Sequence, residues 1–167
     1  RWQGGPHPDA EGLALEPSDG PPSAALMPLE SEADALIEIG LPGCELRGVY
    51  GPLTGKDSNK GIEGIALSPD GQMVYLTHEN KCTLMGLARG THAPAGDRDA
   101  PPPDPGHVPT LPMSGPPRLI AKIRQAASLC DAAYDDRGSP GTEDDRLLLL
   151  DRNALQILDV TLSGEVV

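Results

Sequence analysis

Gly61-Ile62-Glu63-Gly64-Ile65-Ala66-Leu67-Ser68-Pro69-Asp70-Gly71 is the stretch on which the reading of the fold turns. Its first seven residues read as a strand. Pro69 presets φ and Asp70-Gly71 tolerates positive φ, so the last four read as a hairpin connection. The same order occurs earlier, with Asp9-Ala10-Glu11-Gly12-Leu13-Ala14-Leu15 followed by the turn Glu16-Pro17-Ser18-Asp19-Gly20. The offset from Glu11 to Glu63 is 52 residues, close to the roughly 40–50 of known propeller blades.

Downstream of each turn a second strand ends in an acid. The first copy has Ala25–Leu29 and then Glu30-Ser31-Glu32, and the second has Met73–Thr77 and then His78-Glu79. Third strands follow at Ala35–Ile39 and Thr83–Leu87. Strand, turn, strand, acidic turn, strand is a β-meander. A third, eroded copy runs from Leu129 to Tyr134, turns at 137–141, continues through Arg146–Leu150 to Asp151, and closes with Ala154–Val160. In it Asp131 takes the place of Glu11 and Glu63, and the following Gly is lost.

Residues 89–117 hold about half of the 19 prolines, including Pro101-Pro102-Pro103. Proline removes ladder donors, and such a composition buries too little surface to offset ordering entropy, so the stretch reads as a disordered insertion. Arg118–Ser128 is open to two readings, a short helix or an outer strand ahead of the third copy. The expected organisation is therefore two blades in 1–88, the insertion at 89–117, and a degenerate third blade in 118–167. The fold class is all-β, with propeller-like blades of antiparallel meanders. A propeller closes with roughly 4–8 blades, so two or three blades imply that the remainder lies outside this chain.

Composition agrees with a folded portion interrupted by loops. Aromatic residues make up 2% and Phe is absent, so the core must come from aliphatic side chains. The net charge of −12 disfavours nucleic acids and anionic membranes as partners, because such binding rests on clustered Lys and Arg. The longest uninterrupted aliphatic run, Leu147–Leu150, falls far short of the roughly 20 residues of a membrane span. Cys44, Cys82 and Cys130 form no C-x-x-C pair, so zinc-ribbon and thioredoxin chemistry have no support. The chain opens on Arg1-Trp2-Gln3 without a Met or a signal-like segment. It is expected to be a fragment, and secretion and an organelle both remain open as its location.

The acids carry the candidate chemistry. Glu11, Glu63 and Asp131 at corresponding strand starts would form a ring about a common channel, with Glu32, Glu79 and Asp151 as a second set. Converging oxygens suit Ca²⁺, which takes 6–8 of them. The alternative is that these acids satisfy backbone N–H groups at strand ends. His78-Glu79 is a candidate acid/base pair, although neighbours along a strand point to opposite faces and one of the two is expected to face solvent. Lys56 and Lys60 could meet a phosphate or simply be solvated. Ser31 and Ser68 lack a Gly-x-Ser-x-Gly elbow, and Gly51–Lys56 lacks P-loop spacing.

Asn59 to Gly71, with Val74-Tyr75-Leu76-Thr77-His78-Glu79 after it, resembles the signature stretch of the family called esterase-like activity of phytase. Asp9-Ala10-Glu11-Gly12 and Ser31-Glu32 look like that family's preceding blade. The resemblance covers about residues 9–88 and is weaker from 118 onward. It implies a β-propeller, a metal-dependent phosphoric ester hydrolase and a phosphorylated small molecule as substrate, with Glu11, Glu32, Glu63 and Glu79 at the family's acidic positions. The insertion, the lost Gly and the missing blades depart from the pattern. They leave a non-catalytic propeller binding calcium or a partner, or an inactive truncated fragment, as the other expectations.

Overall fold

The computed structural model describes residues 9–30, 34–53, 61–90, 109–137 and 144–167. Among them there is no helix, and twelve strands form three antiparallel sheets. The first sheet holds β1 (Asp9–Ala10), β2 (Ala14–Leu15), β3 (Ala24–Glu30), β4 (Ala35–Gly40) and β5 (Glu45–Tyr50). The second runs β6 (Ile62–Leu67), β7 (Met73–His78), β8 (Thr83–Ala88), β9 (Arg118–Lys122), and the third runs β10 (Leu129–Asp135), β11 (Arg146–Asp151), β12 (Gln156–Thr161).

The repeat is visible in the registers. β1 and β2 both pair with β3, so together they form one inner strand interrupted at Glu11–Leu13. In β6 the register against β7 shifts between Ile62 and Gly64, which leaves Glu63 as the extra, bulged residue. β10 shifts against β11 between Leu129 and Asp131, with Cys130 as the extra residue. Each inner strand thus begins with an irregularity of the kind that re-aims a side chain.

The sheets stack face to face. Leu26 and Leu36 of the first sheet pack on Ile65, Val74 and Leu76 of the second. The opposite face of the second sheet, with Ala66, Tyr75 and Leu84, packs on Leu147, Leu149 and Val160 of the third. A sheet covered on both sides needs apolar residues at successive positions, not alternating ones, and every residue of β6 is buried. Ile62-Glu63-Gly64-Ile65-Ala66-Leu67 supplies that with a single charge.

Two glycines permit the stacking. A Cβ on Gly64 would lie 2.5 Å from the Asp131 Cα, so β6 and β10 meet at backbone distance there. Gly12 sits at φ +147°, where a side chain is strained, and a Cβ on it would lie 3.2 Å from the Glu63 carbonyl oxygen. The Gly after the acid is therefore where the next inner strand crosses.

Three expectations are modified. Arg118–Lys122 is a strand, and it is the outer strand of the second sheet, paired with β8, so it does not open the third unit. β5 is an additional strand that the meander did not anticipate. The described ends of the proline-rich stretch are ordered: Leu111 donates to the Val49 carbonyl at 2.8 Å, Gly90 donates to the Pro112 carbonyl at 3.1 Å, and Leu111 and Met113 pack on the core. Residues 91–108, on which the reading of disorder chiefly falls, lie outside the described residues.

Candidate functional site

The bulge in β6 aims Glu63 at the end of β7, and Glu79 follows that end directly. The Glu79 N–H donates to the Gly61 carbonyl at 3.1 Å, which fixes the chain as it leaves β7. The two carboxyls share a hydrogen bond. Both are buried, at 9% and 5% exposure. The third sheet closes the site from the other side. Glu79 Oε1 accepts from Ser128 Oγ at 2.9 Å and from Arg152 Nη2 at 2.5 Å.

This environment separates the two acids. Burial, the Glu79 charge, the Glu11 charge and the hydrogen bond with Glu79 push Glu63 from the ordinary 4.5 up to about 7, with Arg152 opposing. Two carboxyls at hydrogen-bonding distance resist ionising together, so the pair keeps a proton near neutrality. Arg152 and Ser128 both act on Glu79 and stabilise its ionised form. The site then presents an acid, a base and a half-exposed guanidinium side by side.

The other predicted residues fall in different places. Glu11 is near enough to act on Glu63 by charge. His78 is 1% exposed and alternation places it on the face of β7 that carries Val74 and Leu76, toward the first sheet. The expectation that either His78 or Glu79 faces solvent is overturned, since both are buried. The third repeat is displaced by one residue from the sequence alignment. Ile62 pairs with His78 and Leu129 with Asp151, so Cys130 corresponds to Glu63, Asp131 to Gly64, and Arg152 to Glu79. Asp131 is exposed, and its Oδ1 accepts from the Ala132 N–H at 2.8 Å.

Asp151 is fully buried and accepts from the N–H groups of Ala127, Ser128 and Ala154 at 2.8, 3.1 and 3.2 Å. Burial opposes its ionisation, yet these bonds and Gln156 hold it below the usual carboxylate range. It caps a strand end. Ser68 likewise belongs to a turn, donating to Asp70 Oδ1 at 2.5 Å and accepting from the Met73 N–H at 2.9 Å. Glu32, Ser31, Lys56 and Lys60 lie outside the described residues.

Among the described residues no group of three or more His, Cys, Asp or Glu side chains could hold a metal ion. Of the carboxyl pair, one member keeps a proton near neutrality and the other is ion-paired. By itself the pair offers four carboxyl oxygens, fewer than the 6–8 of a Ca²⁺ centre, and Glu32 of the expected ligand set lies outside the described residues.

Sequence reasoning missed Ser128 and Arg152. It also missed a buried network at the other seam. Arg89, at the end of β8, donates to Glu38 Oε2 at 3.1 Å, to the Tyr50 hydroxyl at 3.3 Å and to the Gly71 carbonyl at 3.2 Å. It also pairs with Glu16 at 2.8 Å. Burial pushes the Tyr50 hydroxyl up to about 12, against the effect of Arg89. An open cleft of about 340 Å³ lies beside it, lined by Glu16, Pro17, Asp70, Gly71, Gln72 and Gly90 in addition to Arg89.

Fold and site together define a protein of repeated, stacked antiparallel sheets with a buried carboxyl pair at one seam. No protein-family model matches the chain, and no curated protein matches it. Three chains among solved structures do. One is the structure of U3-55K, with a TM-score of 0.48 at 14% identity, covering 98% of this chain and 39% of that one. The chain thus spans about two fifths of the length of that protein. No helix among the described residues is long and apolar enough to cross a membrane.

Proposed function

We propose that the chain is a segment of a phytase-like β-propeller and that its Glu63–Glu79 pair hydrolyses phosphoric esters. The observation that carries this reading is the hydrogen-bonded pair in which Glu63 is pushed up to about 7 while Glu79 is held by Arg152 and Ser128. Acid/base catalysis works best when the pKa lies near the operating pH. Paired carboxyls driven apart by their surroundings supply both roles. Glu63 would protonate the departing alkoxide oxygen, and Glu79 would take a proton from the attacking water. Arg152, with a side chain 57% exposed, offers the charge and planar donors that suit a phosphate.

The test is phosphate release from phytate and from a simple phosphomonoester, with and without added Ca²⁺. Release that falls at least tenfold in both Glu63→Gln and Glu79→Gln supports the reading. No release under either condition, or release unchanged in both variants, sinks it. The same contacts favour a second reading, because Glu79 binds two residues of the third sheet and fastens the seam. In that reading the propeller is non-catalytic: neither ester is hydrolysed, and Glu79→Gln lowers the Tm. If Ca²⁺ binds it, added Ca²⁺ raises the Tm by mass action.

A further inference from the structure

The cleft beside Arg89 lies at the hairpin end of the first seam. Glu63 and Glu79 stand at the opposite end of β6 and β7, strands of six residues each, so about 20 Å of strand separates the two places. Two successive sheets of this chain supply the walls. Glu16 and Pro17 come from the turn after β2, Asp70, Gly71 and Gln72 from the turn after β6. The two turns differ at corresponding positions. Ser68 closes its own turn through Asp70 and Met73, whereas Glu16 reaches across the seam to Arg89.

The lining favours a cation over an anion. Arg89 is its positive group, and this chain already engages it. Of the five donors that a guanidinium carries, four go to Tyr50, Gly71, Glu38 and Glu16. An entering anion would gain little from Arg89 and would meet the carboxylates of Glu16 and Asp70. Those carboxylates have capacity to spare. Asp70 is exposed, and the bonds from Ser68 Oγ and the Gln72 N–H both fall on its Oδ1, at 2.5 and 3.0 Å. They hold its carboxyl below the usual range, while Oδ2 accepts neither and keeps its lone pairs for a further donor. Pro17 adds an apolar wall. The volume of about 340 Å³ is at the small end of ligand sites, enough for a short aliphatic chain.

We propose that this cleft binds an organic cation, an ammonium or guanidinium on a short aliphatic stem, held by the carboxylates of Glu16 and Asp70. The stem lies on Pro17, and the charged end donates to Asp70 Oδ2 and to the Glu16 carboxylate. Such a group comes either as a free amine or as a Lys or Arg side chain of a partner peptide. The net charge of −12 draws both toward the chain. The site is independent of any activity at the carboxyl pair.

Amide proton–nitrogen NMR of the full chain provides the test. The probes are cadaverine, blocked Gly-Lys-Gly and Gly-Arg-Gly peptides, and inorganic phosphate as the anion control. At least one cation is expected to shift the amides of Gly71, Gln72 and Gly90 together and saturably, more weakly as salt rises, with phosphate leaving them in place. Asp70→Asn keeps the Oδ1 acceptor but loses the charge, and should weaken binding roughly fivefold, the upper end for a solvated ion pair. Glu165→Gln, exposed in the closing turn beyond β12, should leave binding unchanged. Tighter binding of the amine identifies a small molecule and tighter binding of a peptide a partner chain, and either supports the proposal. No cation moving these amides at about 20 mM, equal binding by parent and Asp70→Asn, or phosphate moving them instead overturns it. The spectrum of each variant shows whether the fold is kept. If Asp70→Asn loses it, Gln72→Lys, at an exposed position of the lining, places a competing charge in the cleft and must abolish binding.

Discussion

Replacing Gly64 by Ala separates a glycine chosen for close approach from one that merely belongs to a turn. The added Cβ would lie 2.4 Å from Thr77 Oγ1, 2.5 Å from the Asp131 Cα and 2.7 Å from its carbonyl carbon. Two of these three atoms are backbone, so no side-chain rotation relieves the contact. The second and third sheets must move apart, loosening the cluster that includes Ala66, Leu84, Leu147 and Leu149. Overpacking of this sort costs about 1–3 kcal/mol, occasionally more. For a chain of this size that lowers the Tm by roughly 2–12 °C. Gly20→Ala is the control, with nothing within 4 Å of its added Cβ and no unusual φ. There the unfolded chain loses freedom at no native cost, and stability should hold or rise by about 0.4–1 kcal/mol. Thermal and urea unfolding of the two variants decide the matter. Equal stabilities would refute the claim that the Gly of the Glu-Gly motif is a spacer between sheets.

Glu63→Gln should flatten the dependence of stability on pH. Between pH 4.5 and 7 the folded chain holds a proton that the unfolded chain has released, so stability falls as pH rises through that window, by an amount on the order of 3 kcal/mol. Tm measured from pH 5 to 8 should drop in the parent and stay nearly level in the variant, and parallel curves would contradict this. Arg89→Met removes the nearer guanidinium from buried Glu38, leaving that of Arg47 at 3.8 Å, and should cost roughly 3 kcal/mol in urea unfolding; a loss under 1 kcal/mol would remove Arg89 as the staple of the first seam. Asp151→Asn should cost about 1–3 kcal/mol at pH 7. Because Asp151 is held below the usual range, its contribution is present at neutral pH and fades as pH falls through the acid range. The difference between parent and variant should therefore shrink by pH 3.

Much of the fold was legible because its signals are local. Strands at 62–67, 73–78 and 83–88 follow from apolar runs bounded by Ser68-Pro69-Asp70-Gly71 and by the turn after His78. The sheet assignment of β9 was not legible, since its pairing with Thr83–Gly86 spans the proline-rich stretch and rests on tertiary contact. β5 was hidden by Glu45 to Gly48, whose charges and glycine read as loop.

The third repeat was misaligned by one residue because its nearest acid, Asp131, lies one position beyond the bulged residue, which in this copy is an uncharged cysteine. Asp131 looked like the heir of Glu63, whereas the pairing of Leu129 with Asp151 makes Cys130 the bulged residue. Aligning the strand ends would have shown it, since Arg152 follows Asp151 as Glu79 follows His78. At the site, Glu63 and Glu79 were visible as acids of the motif. Their partners Ser128 and Arg152 were not, because nothing local connects residues 49 and 73 positions from Glu79.

The claim on which the account stands is that Glu63, beside Glu79, keeps its proton well above the ordinary carboxylate range and releases it only as pH rises through about 7. Carbon-13 NMR of the glutamate side-chain carboxyls, titrated from pH 3 to 9 and assigned through Glu63→Gln, reads this directly. The account predicts that the Glu63 signal moves with a midpoint near 7 and that the Glu79 signal responds in the same step. A Glu63 midpoint near the ordinary 4.5, with Glu79 silent at pH 7, would contradict it.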